Sequence, residues 1–238
     1  MNPLIIIPAW NEEEVLGDVI ADLRAANPDC DLLVIVDGAT DDTAAVARRT
    51  GAHVVELPFN LGIGGALRTG FVYAVDAGYD RAVQFDADGQ HDSTEIPKLL
   101  DALASGSDLV IGSRFETRSA KYRRGPVRHA AMSALRILIS AVTGRRFTDT
   151  SSGFRGFSAP MLRYFARTYP VEFMDSVEAL VLALRGGFSV TEVPVAMRDR
   201  QGGTASNGGL RLVYHYFRLF VVILATARRM PAVRISKS

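Results

Sequence analysis

Residues 82–92 read AVQFDADGQHD, an apolar run that stops on two carboxylates placed two positions apart. The run predicts a buried strand, and side chains two residues apart leave a strand on the same side. Asp86 and Asp88 are therefore expected to point the same way, with Gln90 two positions further on. Carboxylate and amide oxygens suit Mg²⁺ or Mn²⁺ together with waters and substrate phosphates. Such residues are also ordinary turn formers, so this stretch alone leaves a metal site and a simple turn open.

Strand and helix patterns alternate on both sides of this stretch in the chain of 238 residues. Five strands are predicted, at LIIIPAW, DLLVIVD, HVVEL, RAVQFD and DLVIGS. A capping box of Asn11 and Glu14 is expected to open the first helix, which would run to about Ala26. Another helix is expected from about Ala66 to Ala77. Apolar strands separated by helices predict an α/β fold with a mostly parallel, Rossmann-like central sheet flanked by helices.

Polar and acidic residues follow three of the predicted strands. Asn11 and Glu12 come after the first strand, Asp37 ends the second, and Asp86 and Asp88 follow the fourth. Ligands of open α/β sheets bind at the carboxyl ends of the strands. We therefore expect these residues to converge on one ligand site.

The glycine-rich segment NLGIGGALRTG, residues 60–70, partly matches two nucleotide-binding motifs. A dinucleotide fingerprint requires a glycine where Leu67 stands, and a P-loop requires Lys and then Ser or Thr where Phe71 and Val72 stand. Both motifs fail at a diagnostic position. What remains is a tight glycine turn that leads into a helix beside the expected ligand site.

The net charge of +1 hides a strongly uneven distribution of charge. Residues 114–146 carry nine Lys and Arg against Glu116 alone, and residues 198–238 carry eight against Asp199 alone. The rest of the chain holds 10 basic and 24 acidic residues. Two basic segments indicate an anionic partner, either nucleic acid, a phosphorylated substrate or an anionic membrane surface, unless they are simply solvated helix faces.

Amphipathic helix patterns lie inside both basic segments, at residues 125–144 and 210–229. Arginines along one side of such helices fit a membrane interface, core packing or an oligomer interface. The single cysteine, Cys30, predicts no disulfide framework and fits a reducing compartment. The apolar stretch LIII is too short for a signal peptide. The sequence contains no uninterrupted apolar run of about 18 residues, so no membrane span is predicted. These features together predict a cytoplasmic protein that is peripheral to the membrane.

Several segments taken together resemble the inverting family-two glycosyltransferases. In chain order they are IPAWNEEEVL, VIVDGATDDT, NLGIGGALRTG, FDADGQH, VIGSRF, TDTSSGFRGF, and EVPV followed by RQGGTAS. The likeness is greatest to the branch of dolichyl-phosphate mannose synthases and other polyprenyl-phosphate glycosyltransferases, and it runs from Ile5 to about Ser206. It implies a GT-A fold, a nucleotide-diphosphate sugar donor and a divalent cation, Mg²⁺ or Mn²⁺.

The resemblance also implies roles for individual residues. Those expected to bind the donor are Pro8, Trp10, Glu12, Asp37, Gly62, Asp86 and Arg200. Those expected to bind the metal are Asp86, Asp88 and Gln90. Those expected at the catalytic centre are Asp88, Arg114 and Glu178, and the chemistry of a hydroxyl acceptor adds Asp175. Arg114 and Arg200 are candidates for contact with the pyrophosphate or the acceptor phosphate.

Three departures from the family pattern leave the donor base and the sugar open. Val36 precedes a single Asp37 where the family has two adjacent acids. Gly89 and Asp92 stand where relatives often have leucine and a later proline. In the RQGGTAS segment, Ala205 and Ser206 replace the serine and lysine of the mannose synthases.

We expect a metal-dependent inverting glycosyltransferase that moves a hexose to a polyprenyl phosphate at the cytoplasmic membrane face. A phosphate acceptor is largely ionised near neutral pH and needs little help from a base. His91 and His129 are accordingly expected to be turn or surface residues. If the acceptor is instead a sugar or protein hydroxyl, Asp175 or Glu178 is the better base. The alternative of another class is a nucleotidyltransferase or a nucleotide-binding regulatory protein.

The expected organisation is a GT-A catalytic domain at residues 1–206 followed by a basic, amphipathic helical segment at residues 207–238. Within the domain, residues 1–113 would form the nucleotide-sugar and metal half, and residues 114–206 the acceptor half. The expected partners are the donor, the polyprenyl phosphate and an anionic membrane surface, with either a small membrane protein or a second copy of the chain. No nucleic acid is expected.

Overall fold

The computed structural model describes residues 2–114, 140, 144–171 and 175–198. Arg200, His129, the amphipathic segment at residues 207–238 and most of the first basic segment lie outside the described residues. Of Asp175, only the backbone is described.

The described part contains seven strands and six α-helices. The strands are β1 (Leu4–Ala9), β2 (Asp31–Asp37), β3 (His53–Leu57), β4 (Arg81–Gln84), β5 (Leu109–Ser113), β6 (Arg155–Ser158) and β7 (Val190–Pro194). The helices are α1 (Leu16–Ala26), α2 (Thr43–Arg49), α3 (Ile63–Asp76), α4 (Ile96–Ala104), α5 (Ala159–Thr168) and α6 (Asp175–Arg185). All five strands predicted from the sequence are present.

The described strands form a single sheet in the order β3-β2-β1-β4-β6-β5-β7. β1 pairs in parallel with β2 and β4, β2 with β3, and β5 with β7. β6 runs antiparallel between β4 and β5. The predicted α/β fold with a mostly parallel sheet is confirmed, whereas β6 and β7 were not predicted.

The sheet is buried on both faces, as the apolar strands predicted. Along β1, Leu4 and Ile6 face one hydrophobic cluster and Ile5 and Ile7 face the other, and all four are fully buried. The first cluster includes side chains of α3, α5 and α6, and the second includes side chains of α1, α2 and α4. Helices therefore cover each face, leaving the edges at the strand ends for ligands.

The predicted capping box of Asn11 and Glu14 is wrong. α1 begins only at Leu16, and no side chain caps its N-terminus at Val15. Asn11 instead adopts a left-handed φ of 54°, and its Oδ1 accepts a hydrogen bond of 2.8 Å from the backbone N–H of Thr40. Asn11 thus links the loop after β1 to the loop after β2, and this link replaces a helix cap.

Candidate functional site

The carboxyl ends of β1, β2, β4 and β5 lie along one edge of the sheet, because these four strands are mutually parallel. Trp10 follows β1, Asp37 ends β2, Asp86 and Asp88 follow β4, and Arg114 follows β5. The structure therefore brings these sequence-predicted residues to a common edge. Their expected convergence on one ligand remains a prediction.

Trp10 is 53% exposed at the end of β1. The loop that carries it is held by hydrogen bonds to the loop after β2. The backbone N–H of Glu12 donates to Thr43 Oγ1 at 2.9 Å, and the N–H of Asp42 donates to Glu13 Oε2 at 2.8 Å. These contacts fix the backbone of the loop while the indole stays exposed.

Asp37 is buried and holds the glycine-rich loop in place. Its Oδ1 accepts a 2.7 Å hydrogen bond from the N–H of Leu61. Burial raises the pKa of the Asp37 carboxyl above its ordinary value, although the N–H groups of Leu61 and Gly62 offset part of that rise. Gly38 permits the close approach, since a Cβ there would lie 2.4 Å from the backbone nitrogen of Asn60. Asp37 therefore shapes this loop, and contact with a donor remains a prediction.

Hydrogen bonds from Gln84 and from the backbone of Gln90 hold the two carboxylates of the D-x-D motif, Asp86-Ala87-Asp88. Gln84 Nε2 donates to Asp86 Oδ1 at 3.1 Å, and the Asp86 side chain is 33% exposed. The N–H of Gln90 donates to Asp88 Oδ1 at 3.1 Å. The carbonyl of Gln90 accepts from the N–H of Arg198 at 2.8 Å. The turn after β4 is thus a defined structure with its carboxylates at the open edge.

His91 is buried, so a surface position is excluded, but it lies beside the turn after β4, the other position expected for it. It is 4% exposed and stacks on Phe154 with a ring-centroid distance of 4.9 Å. Its Nδ1 accepts a 3.2 Å hydrogen bond from the N–H of Asp86. Burial lowers the pKa of His91, while the charges of Asp86 and Asp88 oppose that shift. A neutral ring whose Nδ1 accepts is the form that supports this turn.

The donor set of the motif fits a hard divalent cation. Among residues 2–114, 140, 144–171 and 175–198, no group of three or more His, Cys, Asp or Glu side chains is arranged to hold a metal ion. Asp86 and Asp88 therefore offer two carboxylates, and the remaining ligands would be water and substrate oxygens, as Mg²⁺ commonly has. Space beside Asp86 is kept clear by Gly153, where a Cβ would lie 2.7 Å from Asp86 Oδ2. The Gln90 side chain stays a predicted ligand.

Arg114 is bound to Asp149, a residue that the sequence-based interpretation missed. Arg114 Nε donates to Asp149 Oδ2 at 2.6 Å, and Nη2 donates to Oδ1 at 2.8 Å. Nη2 also donates to Ser151 Oγ at 3.0 Å. Burial alone would raise the pKa of Asp149, but the hydrogen bonds and charge of Arg114 lower it on balance. Asp149 stands in the TDTSSGFRGF segment, and its acidic side chain was the available signal.

Glu192 in β7 holds the backbone of the segment that carries Asp149. Its carboxylate accepts from the N–H of Thr148 at 2.8 Å and from the N–H of Asp149 at 2.8 Å. Thr148 Oγ1 in turn lies 2.6 Å from Ser113 Oγ, at the end of β5. The loop that carries Asp149 is thereby attached to both β5 and β7.

Arg198 attaches the last described residues to the turn that follows the D-x-D motif. Its Nη1 donates to Asp22 Oδ2 at 2.8 Å, and its Nη2 donates to Asp92 Oδ1 at 3.2 Å.

Glu178 is half-buried in α6, and its neighbours Val177 and Leu180 pack in the core. The catalytic roles of Glu178 and Asp175 remain predictions.

Comparison with known proteins identifies the family. The model of the family "Glycosyl transferase family 2" matches residues 4–167 of the chain. The chain belongs to glycosyl transferase family 2. It is 30% identical to the polyprenol monophosphomannose synthase of Mycolicibacterium smegmatis, over 91% of this chain and 84% of that protein. It is 32% identical to the undecaprenyl-phosphate mannosyltransferase of Micrococcus luteus, over 88% of each chain. The family and these relatives make the protein a glycosyltransferase, as the sequence motifs predicted.

A solved structure that is similar to this family 2 chain over most of its length confirms the fold. Glucosyl-3-phosphoglycerate synthase from Mycobacterium tuberculosis, in complex with Mn²⁺, UDP-glucose and phosphoglyceric acid, matches with a TM-score of 0.69 and 23% identity. The match covers 95% of this chain and 80% of the other. The predicted GT-A fold is thus confirmed. None of the helices in the described ranges has the length and apolar character needed to cross a membrane.

Proposed function

We propose that the protein transfers a hexose, with inversion, from a nucleotide-diphosphate sugar to a polyprenyl phosphate at the cytoplasmic face of the membrane. The observation that carries the proposal is the shared sheet edge, where Asp86 and Asp88 after β4 lie on the same side as Arg114 after β5. Carboxylates for a cation and a fixed guanidinium suit a reaction between two phosphorylated substrates. The names of the two mannosyl-transferring relatives support a polyprenyl phosphate acceptor.

In this proposal the first two strands bind the donor. The exposed ring of Trp10 would contact the base of the donor, and Pro8 and Glu12 would lie beside the base. Asp37 positions the loop that contains Gly62. Asp86 and Asp88, with Gln90, would hold Mg²⁺ or Mn²⁺ against the diphosphate. When bound, the cation supplies positive charge that stabilises the departing diphosphate.

The chemical step needs little from the protein beyond orientation and charge. An oxygen of the acceptor phosphate forms a bond to the anomeric carbon, and the bond from that carbon to the diphosphate oxygen breaks with its electron pair staying on the diphosphate. Attack from the opposite face inverts the configuration. Arg114, oriented by Asp149, would neutralise phosphate charge, and Arg200 would do the same from the segment outside the described residues.

The proposal extends to organisation and location. Residues 1–113 would bind the donor and the metal, residues 114–206 the acceptor, and residues 207–238 an anionic membrane surface, a small membrane protein or a second copy of the chain. The two basic segments supply the charge for anionic headgroups. Flotation with anionic and neutral vesicles checks the membrane part, and equal recovery with both would contradict it.

The test is a screen of nucleotide sugars with polyprenyl phosphate, with products read by mass spectrometry in the presence of Mg²⁺, Mn²⁺ or EDTA. We expect one glycosyl polyprenyl phosphate and release of a nucleoside diphosphate only when metal is present. Asp88→Ala should lose nearly all activity, with Asp18→Ala, an exposed acid of α1, as the control.

Each other outcome identifies an alternative. Glycosylation of an added sugar or peptide, with none of the lipid, would replace the lipid acceptor by a hydroxyl and would direct attention to Glu178 and Asp175. Release of pyrophosphate would indicate a nucleotidyltransferase. Nucleotide binding without release of any product would indicate a regulatory protein. Full activity of Asp88→Ala would remove the proposed metal site.

A further inference from the structure

Besides His91, whose Nε2 lies 3.6 Å from Asp86 Oδ2, two residues without a role in the proposed function border the Asp86 carboxylate. Gln84 is the last residue of β4, two positions before Asp86, and its amide reaches the Asp86 carboxylate. Gly153 approaches from the segment before β6, so that a Cβ there would lie 2.7 Å from Asp86 Oδ2 and 3.3 Å from Oδ1. One residue supplies a hydrogen bond, and the other supplies space.

The Gln84 amide is oriented toward the Asp86 carboxylate, and this orientation leaves its own carbonyl oxygen without a hydrogen bond in the described part of the chain. A carboxylate oxygen accepts hydrogen bonds and does not donate them, so the amide must present Nε2 to Asp86 Oδ1, at 3.1 Å. This orientation leaves Gln84 Oε1 buried with no hydrogen-bond partner among the described residues. A buried carbonyl oxygen without a partner is unfavourable. Packing or strand stability alone would favour an apolar residue at this position.

Gly153 is required for steric reasons. Its φ lies outside the left-handed region, so the backbone conformation itself permits any residue. A Cβ would nevertheless contact both Asp86 oxygens and lie 3.1 Å from Gln84 Nε2. Any side chain at this position would press on the carboxylate and on the amide that orients it.

We infer that Gln84 and Gly153 are positioning residues that fix the Asp86 carboxylate in the orientation in which it binds the divalent cation. The inference rests on the proposed function, in which Asp86 is a metal ligand. Gln84 restrains Oδ1 through its amide, and Gly153 leaves space beside Oδ2, which lies 3.6 Å from His91 Nε2. Side chains that orient metal ligands commonly change metal affinity about 10- to 100-fold when they are replaced.

The experiment measures Mn²⁺ binding to the full chain without catalysis. Mn²⁺ is titrated in the presence of pyrophosphate, and free Mn²⁺ is followed by electron paramagnetic resonance. Gln84→Met keeps the length of the side chain but removes the amide, and Gly153→Ala adds the Cβ. For both variants we expect Mn²⁺ affinity to fall about 10-fold, with the cooperative thermal unfolding transition retained.

Gly156→Ala is the matched control for the glycine variant. Gly156 lies in the same SGFRGF segment, but a Cβ there would meet only an apolar neighbourhood, with Leu103 Cδ1 at 3.0 Å as its nearest atom. This variant should bind Mn²⁺ as the wild type does, even if its unfolding temperature falls. An equal loss of Mn²⁺ affinity in Gly156→Ala and Gly153→Ala would attribute the effect to general packing and overturn the inference.

The remaining outcomes separate this inference from the proposed function. If Asp86→Ala loses Mn²⁺ binding while Gln84→Met and Gly153→Ala bind normally, the proposed metal site stands and the positioning role is overturned. If the wild-type chain binds no Mn²⁺ under any condition while it forms a glycolipid, the metal site fails and the positioning role fails with it.

Discussion

Arg114 and Asp149 form a bidentate ion pair, with Nε and Oδ2 2.6 Å apart and Nη2 and Oδ1 2.8 Å apart. The Asp149 side chain is fully buried, and the Arg114 side chain is 20% exposed. Two parallel hydrogen bonds fix the plane of a guanidinium as well as its position. The two side chains therefore form one structural unit at the end of β5, and the orientation of each depends on the other.

The ion pair should be strongly coupled in its effect on stability. Arg114→Met leaves a buried carboxylate without its counterion, and we expect the free energy of unfolding to fall by about 3–5 kcal/mol. The double variant Arg114→Met/Asp149→Leu should be more stable than Arg114→Met alone, because no buried charge is left. Urea unfolding of the wild type, both single variants and the double variant measures the coupling. Additive changes in the four free energies would contradict it.

The Asp149 carboxyl should stabilise the fold above its ordinary pKa and lose that effect in acid. Its pKa in the folded protein is lowered from 3.8, so its contribution is present above about pH 4 and disappears as the pH falls through the lowered value. Asp149→Asn should therefore flatten the acid limb of the plot of unfolding free energy against pH. Asp37 provides the opposite control, because its folded pKa is raised, and Asp37→Asn should steepen that limb. Parallel acid limbs in all three proteins would contradict the assignment.

Gly38 should tolerate a side chain far less well than Gly51. Both glycines have left-handed backbone conformations, with φ of 60° and 73°. In Gly51→Ala the nearest atom to the new Cβ is an Arg24 side-chain nitrogen at 3.8 Å, so only the conformational cost of about 1 kcal/mol is expected. Gly38→Ala also drives a Cβ into backbone at 2.4 Å, which should bring the total to about 3 kcal/mol.

The same pair of variants should separate stability from donor binding. Only Gly38→Ala displaces the loop at residues 59–62 from Asp37, so only this variant should raise KM for the donor. Thermal unfolding and steady-state kinetics of both proteins give the comparison. Equal KM values in folded preparations of the two variants would remove the loop from the donor site.

His91→Phe should destabilise the turn after β4 even though an aromatic ring is kept. Phenylalanine retains the contacts with Phe154 and Phe85 but offers no acceptor to the N–H of Asp86. Loss of a partner for that group should cost about 1–3 kcal/mol, as measured by chemical unfolding. His91→Gln, which keeps an acceptor, is the control for the hydrogen bond. A fully stable His91→Phe protein would show that the ring contacts alone suffice.

Trp10 should report donor binding directly. It is the single tryptophan of the chain and is 53% exposed, so nucleotide binding at the end of β1 should quench the intrinsic tryptophan fluorescence. Base stacking on an aromatic ring contributes about 1–3 kcal/mol, so Trp10→Ala should raise KM for the donor about 10-fold. Trp10→Phe should recover most of that loss. An unchanged KM in Trp10→Ala would place the base elsewhere.

Five of the six parallel strands were predictable, because each of those five carries its own signal, whereas the parallel β7 was not predicted. β1 and β2 are continuous apolar runs that end on polar residues, and such runs need no partner to be recognised. β6 is only four residues long, RGFS, and contains a buried arginine and a glycine. Its position depends on long-range pairing with β4 and β5, which local sequence does not contain.

The site was predictable to the extent that its residues stand at strand ends. Asp37, Asp86, Asp88 and Arg114 each end or follow a predicted strand, and the sheet topology brings them to one edge. His91 and the pairing of Asp149 with Arg114 could not be found this way. Their roles depend on contacts between segments far apart in sequence, such as the stacking of His91 on Phe154.

The antiparallel insertion of β6 has a consequence for biosynthesis. Within the described part, β5 pairs only with β6 and β7, and the ribosome makes both of these strands after β5. A nascent chain that ends at residue 113 would hold β5 with no partner and β4 with one side open. We therefore expect the sheet to complete its folding only after Pro194 has left the ribosomal exit tunnel. A prematurely terminated polypeptide would expose strand edges with unpaired backbone groups, which chaperones and proteases would bind.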